Sequence, residues 1–546
     1  MAMRAGSISV PRTSDSEPPS RRWIALVVLC ISLLIVTLDN TVLNVALPTL
    51  VRDLRATSSE LQWIVDAYVI VFAGLLLVAG SLADRLGRKR TFVAGLAAFA
   101  AGSTWAAFSG SVGMLIAARA SMGVGAALIM PSTLSIITDM FREAEVRQRA
   151  IGFWAGTSGL GIALGPIIGG LLLTHFWWGS VFLINVPIAV AGLALAMVLV
   201  PDSRNPAALR PDLAGALLSI AGLGLLLWSI IEAPARGWSS PLVIAAGVAG
   251  LAVLGGFAAW ERASSHPMLN LSFFRARSFS GAVVSVGMVT FGLFGALFVL
   301  TQFLQFNLGY TALQAGVRVL PAAAAIAVVA PVSAVLVRMA GTRLTVAAGL
   351  LVVAGGLWQI SGATVTSTYA STVAGMVLLG IGAGLVIPGG TASVMGSLPR
   401  EHTGVGSATN GAFLQIGGAL GVAVIGSLLS TRYQDRMTSA LAPYHLPSGV
   451  LHIVLGSVGG ALALAGHLGG ATGAALAALA RASFISGMDL GLATGAAVAL
   501  AAGLLALIVL PGRPPAGGQP EEPPEGSRPA DCMQPSETCD RGKPAA

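Results

Sequence analysis

Three charged side chains sit inside apolar stretches: Asp39 in Leu38-Asp39-Asn40-Thr41-Val42-Leu43-Asn44, Asp66 in Trp63-Ile64-Val65-Asp66-Ala67-Tyr68, and Arg119 in Leu115-Ile116-Ala117-Ala118-Arg119-Ala120-Ser121. If these stretches cross a bilayer as helices, a rise of about 1.5 Å per residue puts Asp39 roughly 12 Å, Asp66 roughly 8 Å and Arg119 roughly 10 Å below one outer surface. A charge at depth costs on the order of 2.5–3.5 kcal/mol or more, so it faces a protein interior or a water-filled path. Two carboxylates and a guanidinium at one depth could form a proton-linked cluster. The plainer alternatives are a neutral Asp–Arg pair that holds spans together, an Asp39 capped by Asn40, Thr41 or Asn44, and an Asp66 at the water interface. Asn44, Trp63 and Tyr68 lie within two helical turns of the acids and are the candidate substrate-lining side chains.

The elements that must position these groups are membrane helices. The chain has 546 residues, 55% hydrophobic and only 10% charged, far from the balance of a soluble domain. Its apolar runs are about twenty residues long, which suits spanning helices rather than ten-residue barrel strands. The expected fold is an all-α polytopic membrane protein with fourteen spans, at about 23–47, 61–82, 91–110, 112–138, 150–174, 179–200, 212–231, 241–260, 280–305, 313–338, 343–363, 370–396, 404–430 and 484–510. Loops that this assigns to the cytoplasm hold about 23 of the 31 Lys and Arg residues, against about six outside. The positive-inside rule therefore places both termini in the cytoplasm and the chain in the cell membrane. Residues 1–22 read as an uncleaved cytoplasmic arm and 511–546 as a disordered tail. The stretch 449–480, apolar and carrying His452 and His467, is expected to form helices on the outer surface rather than a fifteenth span.

The same composition excludes several classes. The net charge of +8 is spread along the loops, which argues against nucleic acid as a partner. Cys30, Cys532 and Cys539 indicate neither a disulfide framework nor a metal cluster. No Gly-Lys-Ser/Thr follows the glycine-rich stretches, and no Ser-His-Asp arrangement stands out, so neither an ATPase nor a hydrolase is indicated and no cofactor is expected.

An internal duplication organises the chain. Gly80 to Leu96 aligns with Ala334 to Leu350, Gly123 to Pro131 with Gly380 to Pro388, and Gly161 to Gly165 with Gly417 to Gly421. The near-constant offset divides the chain into a six-helix bundle at 23–200, an inserted two-span region at 201–279, and a second six-helix bundle at 280–510 with a long outer loop at about 431–483. Repeats of this kind build transporters, with the substrate site near the midplane where the halves meet. The charges are unequally shared: Asp84, Arg119 and Pro166 align with Arg338, Met376 and Val422, so the coupling chemistry is expected in the first half.

Two further stretches read as machinery. In the loop Gly80 to Arg90, Gly87 makes a tight turn, Asp84 caps the next helix or pairs with Arg88, and Arg85, Lys89 and Arg90 anchor the cytoplasmic face. In the fifth span, Gly161, Gly165, Gly169 and Gly170 allow close helix packing, while Pro166 removes a backbone hydrogen bond and allows flexing.

These stretches carry a resemblance. Leu38-Asp39 to Pro48, Gly80 to Arg90, Arg119 to Gly125, Gly161-Ile-Ala-Leu-Gly165-Pro166-Ile-Ile-Gly169-Gly170 and Trp177 to Pro187 resemble the motifs of the major facilitator superfamily, and within it of the fourteen-span drug:H+ antiporters that include quaternary-ammonium exporters. The similarity covers about 20–512. It implies proton-driven efflux of lipophilic compounds by alternating access in a monomeric unit, with Asp39 and Asp66 as acidic positions for proton and drug and Arg119 as their basic partner. One departure stands out: 280–335 contains no Asp or Glu, where some exporters of divalent cations carry a further acid. Asp489 reads instead as an interfacial cap at the start of the last span.

Overall fold

The computed structural model describes residues 19–204, 211–264, 267–398 and 403–512. The expected arm before Pro19 and the tail after Gly512 lie outside them. Sixteen α-helices run through the described residues: α1 (Pro19–Leu54), α2 (Ser58–Leu86), α3 (Arg88–Ala107), α4 (Val112–Met140), α5 (Ala144–His175), α6 (Ser180–Leu183), α7 (Asn185–Leu199), α8 (Leu213–Arg236), α9 (Pro241–Ala263), α10 (Arg277–Gln302), α11 (Ala312–Ser361), α12 (Tyr369–Gly396), α13 (Thr403–Leu441), α14 (Ser448–Gly456), α15 (Val458–Leu468) and α16 (Gly470–Val509). The end of the bundle where α1 begins is termed proximal, the opposite end distal.

Local sequence sets the boundaries. Thr57 and Glu60 form a capping box that opens α2, Ser111 accepts from the Met114 amide to open α4, and Thr311 with Gln314 repeats the box at α11. Each device satisfies amides that the first turn leaves without partners. Gly87 turns the chain between α2 and α3 at φ +114°, a conformation that suits glycine. Its counterpart in the duplication, Gly341, sits at φ +84° and breaks the 50-residue α11 into two segments. The aligned glycines thus make equivalent turns in the two halves.

Twelve helices among the described residues are long and apolar enough to cross a membrane. One of them is α11, which carries two of the expected segments on either side of Gly341. The expected third segment is the 20-residue α3, whose first turn, Arg88-Lys89-Arg90, is charged. The distal connection differs in detail from expectation. α13 runs on to Leu441 and α16 begins at Gly470, so only the short α14 and α15 lie between them. Asp489 is not a cap: it sits in the middle of α16 and is exposed.

Both halves use one packing device. A Cβ on Gly161 or Gly165 of α5 would lie 2.0 or 1.9 Å from the hydroxyl of Thr37 or Thr41 on α1. A Cβ on Gly417 or Gly421 of α13 would lie 2.1 Å from a carbonyl of α10. Only the absence of side chains lets these helices approach so closely. α5 remains one helix through Pro166.

Candidate functional site

The first half holds a buried acid–base pair. Arg119 and Asp39 are almost fully enclosed, and the Arg119 Nη1 donates to Asp39 Oδ2. The Arg119 Nε donates to the Ile64 carbonyl at 3.0 Å, and its guanidinium lies 4.3 Å from the centre of the Tyr68 ring. Asn185, the first residue of α7, donates from Nδ2 to Asp39 Oδ1 at 3.2 Å. Three helices therefore meet at the carboxylate, and α2 completes the shell around Arg119. The approach of α4 to α2 depends on Gly123, where a Cβ would sit 2.6 Å from the Tyr68 carbonyl oxygen. Such a pair persists in a dry interior because each charge has its partner and further hydrogen bonds.

Asp66 is placed differently. It is wholly buried, and neither carboxylate oxygen has a hydrogen-bond partner. It therefore does not join the Asp39–Arg119 pair by a direct contact. On α2 it follows Gln62 by four residues and precedes Val69, Ala73 and Leu76 on the same stripe. Those residues meet α13: Gln62 Oε1 accepts from Ser427 Oγ at 3.2 Å, Val69 and Ala73 face Ala419, and Leu76 lies 2.9 Å from a Cβ built on Gly411. Asp66 thus lies on the seam between the two halves.

Of the three candidate lining residues, Asn44 borders a narrow cavity of about 30 Å³ between the halves, together with Thr41, Pro166, Leu297, Thr301 and Val319. Tyr68 instead packs against Arg119, and Trp63 is partly buried outside that cavity wall. The cavity is closed distally. Gly316 of α11 lies against the Pro166 carbonyl, Gly170 of α5 against Leu313, and Gln305 Nε2 donates to the Val45 carbonyl at 3.0 Å. Toward the proximal end, α5 and α11 are exposed, with Phe153 at 63% and Val328 at 71%.

In the loop after α2, Asp84 accepts from Arg88 at 2.9 Å, and Arg88 also reaches the Ser135 carbonyl at 3.3 Å and Asp139 at 3.7 Å. Lys89 Nζ donates to the Met197 carbonyl at 2.8 Å. The loop therefore ties α3 to α4 and α7, all in one half. Arg85 and Arg90 are exposed.

Sequence reasoning missed Asn185, Gln62 and the threonine pair of α1. Thr37 and Thr41 share the four-residue period of Gly161 and Gly165, a signal that could have paired the two helices. Asn185 stands two residues before Pro187 in an apolar span, which could have marked it as a buried polar partner.

Two repeated helical halves, a buried charge pair in one and a cavity at their junction define a membrane transporter rather than an enzyme. The chain belongs to the Major Facilitator Superfamily, whose family model matches residues 29–422. It is 36% identical over 479 residues to the multidrug efflux pump LfrA of Mycolicibacterium smegmatis, covering 87% of this chain and 94% of that protein. It is 33% identical to the tetracenomycin C resistance and export protein of Streptomyces glaucescens, covering 92% and 95%. It is 34% identical to the methyl viologen resistance protein SmvA of Salmonella typhimurium, covering 85% and 93%. Among solved structures, a bacterial homologue of the human lysosomal transporter Spinster, inward-facing and unoccupied, superposes with a TM-score of 0.65 at 16% identity, covering 90% of this chain and 98% of that one.

Proposed function

We propose that this protein is a proton-coupled exporter of lipophilic, often cationic compounds, working by alternating access. The observation that carries the proposal is the separation of the two acids. Asp39 is held by Arg119 inside the first half, whereas Asp66 lies unpartnered on the seam that must part when the halves rock. In this reading Asp66 takes up a proton from the outer side when the distal seam parts, and gives it up on the inner side after α2 and α13 close again. Asp39 is the charge that a cationic drug draws away from Arg119, and a proton competes with the drug for that carboxylate. The names of the relatives, which include multidrug efflux and export, support the direction of transport.

The proximal end is taken as cytoplasmic because the basic loops fall there. Counting α3 and the two segments of α11, the chain then has fourteen spans. Distal closure with proximally exposed α5 and α11 suits a state that receives substrate from inside. One proton moving down roughly 200 mV releases about 4.6 kcal/mol, enough for a little over three decades of drug gradient if no other charge moves, at about 1.4 kcal/mol per decade. The absence of acids from 280–335 favours monovalent cations and neutral amphiphiles over dications.

Asp39→Asn keeps the size of the side chain and removes its charge. In proteoliposomes with an imposed pH gradient, this variant is expected to insert normally and to lose proton-driven ethidium transport. Transport at the wild-type rate would overturn the assignment. A dedicated exporter of a single antibiotic or metabolite is the second reading, favoured by the tetracenomycin relative; a substrate panel separates the two.

A further inference from the structure

Asn185 is fully buried at the start of α7, and its amide is used unequally: Nδ2 donates to Asp39 Oδ1, while its own Oδ1 has no donor. A buried acceptor left unpaired is costly and calls for an account. We propose that Asn185 is a positioning residue that holds Asp39 in both of its protonation states. With Asp39 ionised, the amide N–H donates to one carboxylate oxygen and leaves the other to Arg119. When a proton from water adds to Asp39 Oδ1, the new O–H becomes a donor and the carboxyl no longer accepts there. A half-turn of the amide then presents Asn185 Oδ1 to receive it. A primary amide has both a donor and an acceptor and no charge; leucine has neither, and aspartate would add a second negative charge.

The other groups around Asp39 do not duplicate this role. Arg119 on α4 is a donor only, and Tyr68 on α2 faces Arg119 with its ring. α6 and α7 contain no titratable side chain. Those of α5 that are described, Arg147, Arg149 and His175 with Glu145, lie in its terminal turns. α10 and α11 face α1 across the cavity at Thr41 and Asn44 through Leu297, Thr301 and Val319, none of which titrates, and α15 meets it further on at Val51.

The inference rests on the proton-coupled reading of Asp39, and the experiment separates the two. Ethidium binding to the purified full chain is followed by fluorescence as pH is varied with no gradient, for wild type, N185L and N185S, alongside gradient-driven uptake. The charge-assisted bond to the ionised carboxylate is the stronger of the two. Its loss in N185L is therefore expected to displace the pH profile by about one unit toward alkaline pH, about tenfold in proton affinity. N185S, whose hydroxyl both donates and accepts, is expected to keep a profile near that of wild type. An N185L profile that coincides with wild type, with only its amplitude lowered, would overturn the inference while leaving proton coupling intact. A wild type with no pH dependence would overturn both. If N185L is not recovered from the membrane, N185A makes the same comparison.

Discussion

Asp39 and Asp66 are both sealed from solvent, yet they differ in what stabilises them. Asp39 has Arg119 and Asn185, whereas Asp66 has neither a cation nor a donor. Removing one member of a buried pair leaves the other charge uncompensated, a loss of about 3–5 kcal/mol. Replacing an unpartnered polar group with an apolar one removes a penalty instead. Asp39→Leu is therefore expected to lower the thermal unfolding midpoint of the purified protein strongly, while Asp66→Leu leaves it unchanged or raises it. Equal destabilisation of the two variants would contradict the arrangement described. That Arg119 meets one of the two acids was legible from depth alone, because opposite charges at one level in a dry bundle attract; that the acid is Asp39 was not. Nor was the isolation of Asp66. A helix of known depth still has several faces, and only the position of α13 shows that the face bearing Gln62, Asp66 and Ala73 is a seam.

At the scale of helices, glycine spacing does the positioning. The α1–α5 contact places Thr41 so that its hydroxyl donates to the Gly161 carbonyl at 3.2 Å, and no atom larger than hydrogen fits at Gly165. Gly165→Val would force the helices apart, at a cost of about 1–3 kcal/mol or more from overpacking. The expected result is a lower unfolding midpoint together with lost efflux, since α1 carries Asp39. A smaller partner restores room: Thr41→Gly in the same chain should recover part of the stability, and thermal unfolding of the double variant checks it. The duplication made this device readable in sequence, as it did the matching turns at Gly87 and Gly341. The α13–α16 connection was less readable. The Gly/Ala-rich residues 470–483 have too little polarity or periodicity to separate a surface helix from the extension of a span, and they prove to be the first turns of α16.

For the molecule as a whole, apolar packing of α2 on α13 runs from Gln62 down to Leu76, but the side-chain hydrogen bonds described between the halves are uncharged and lie toward the distal end: Gln62 with Ser427 and Gln305 with the Val45 carbonyl, beside the α5–α11 crossing. A neutral hydrogen bond contributes only about 0.5–1.5 kcal/mol, so the halves can separate there without breaking an ion pair. If the distal seam opens in each cycle, Gln62→Cys with Ser427→Cys, joined by a short thiol-reactive linker in a background without other cysteines, should arrest efflux until the linker is cleaved. Undiminished transport by the cross-linked protein would show that this seam stays shut throughout.

The inserted helix α8 lies on the α2–α13 side of that junction. Leu223 and Leu227 pack beside Val69 and Ala419, Ser59 donates to the Ile231 carbonyl at 3.1 Å, and Trp238 just beyond the helix donates to Thr431 at 3.0 Å. No helix among the described residues covers the α5–α11 side in this way. The molecule therefore has a shuttered flank and a bare one. The insertion thus turns a symmetric pair of bundles into a vessel with a front and a back.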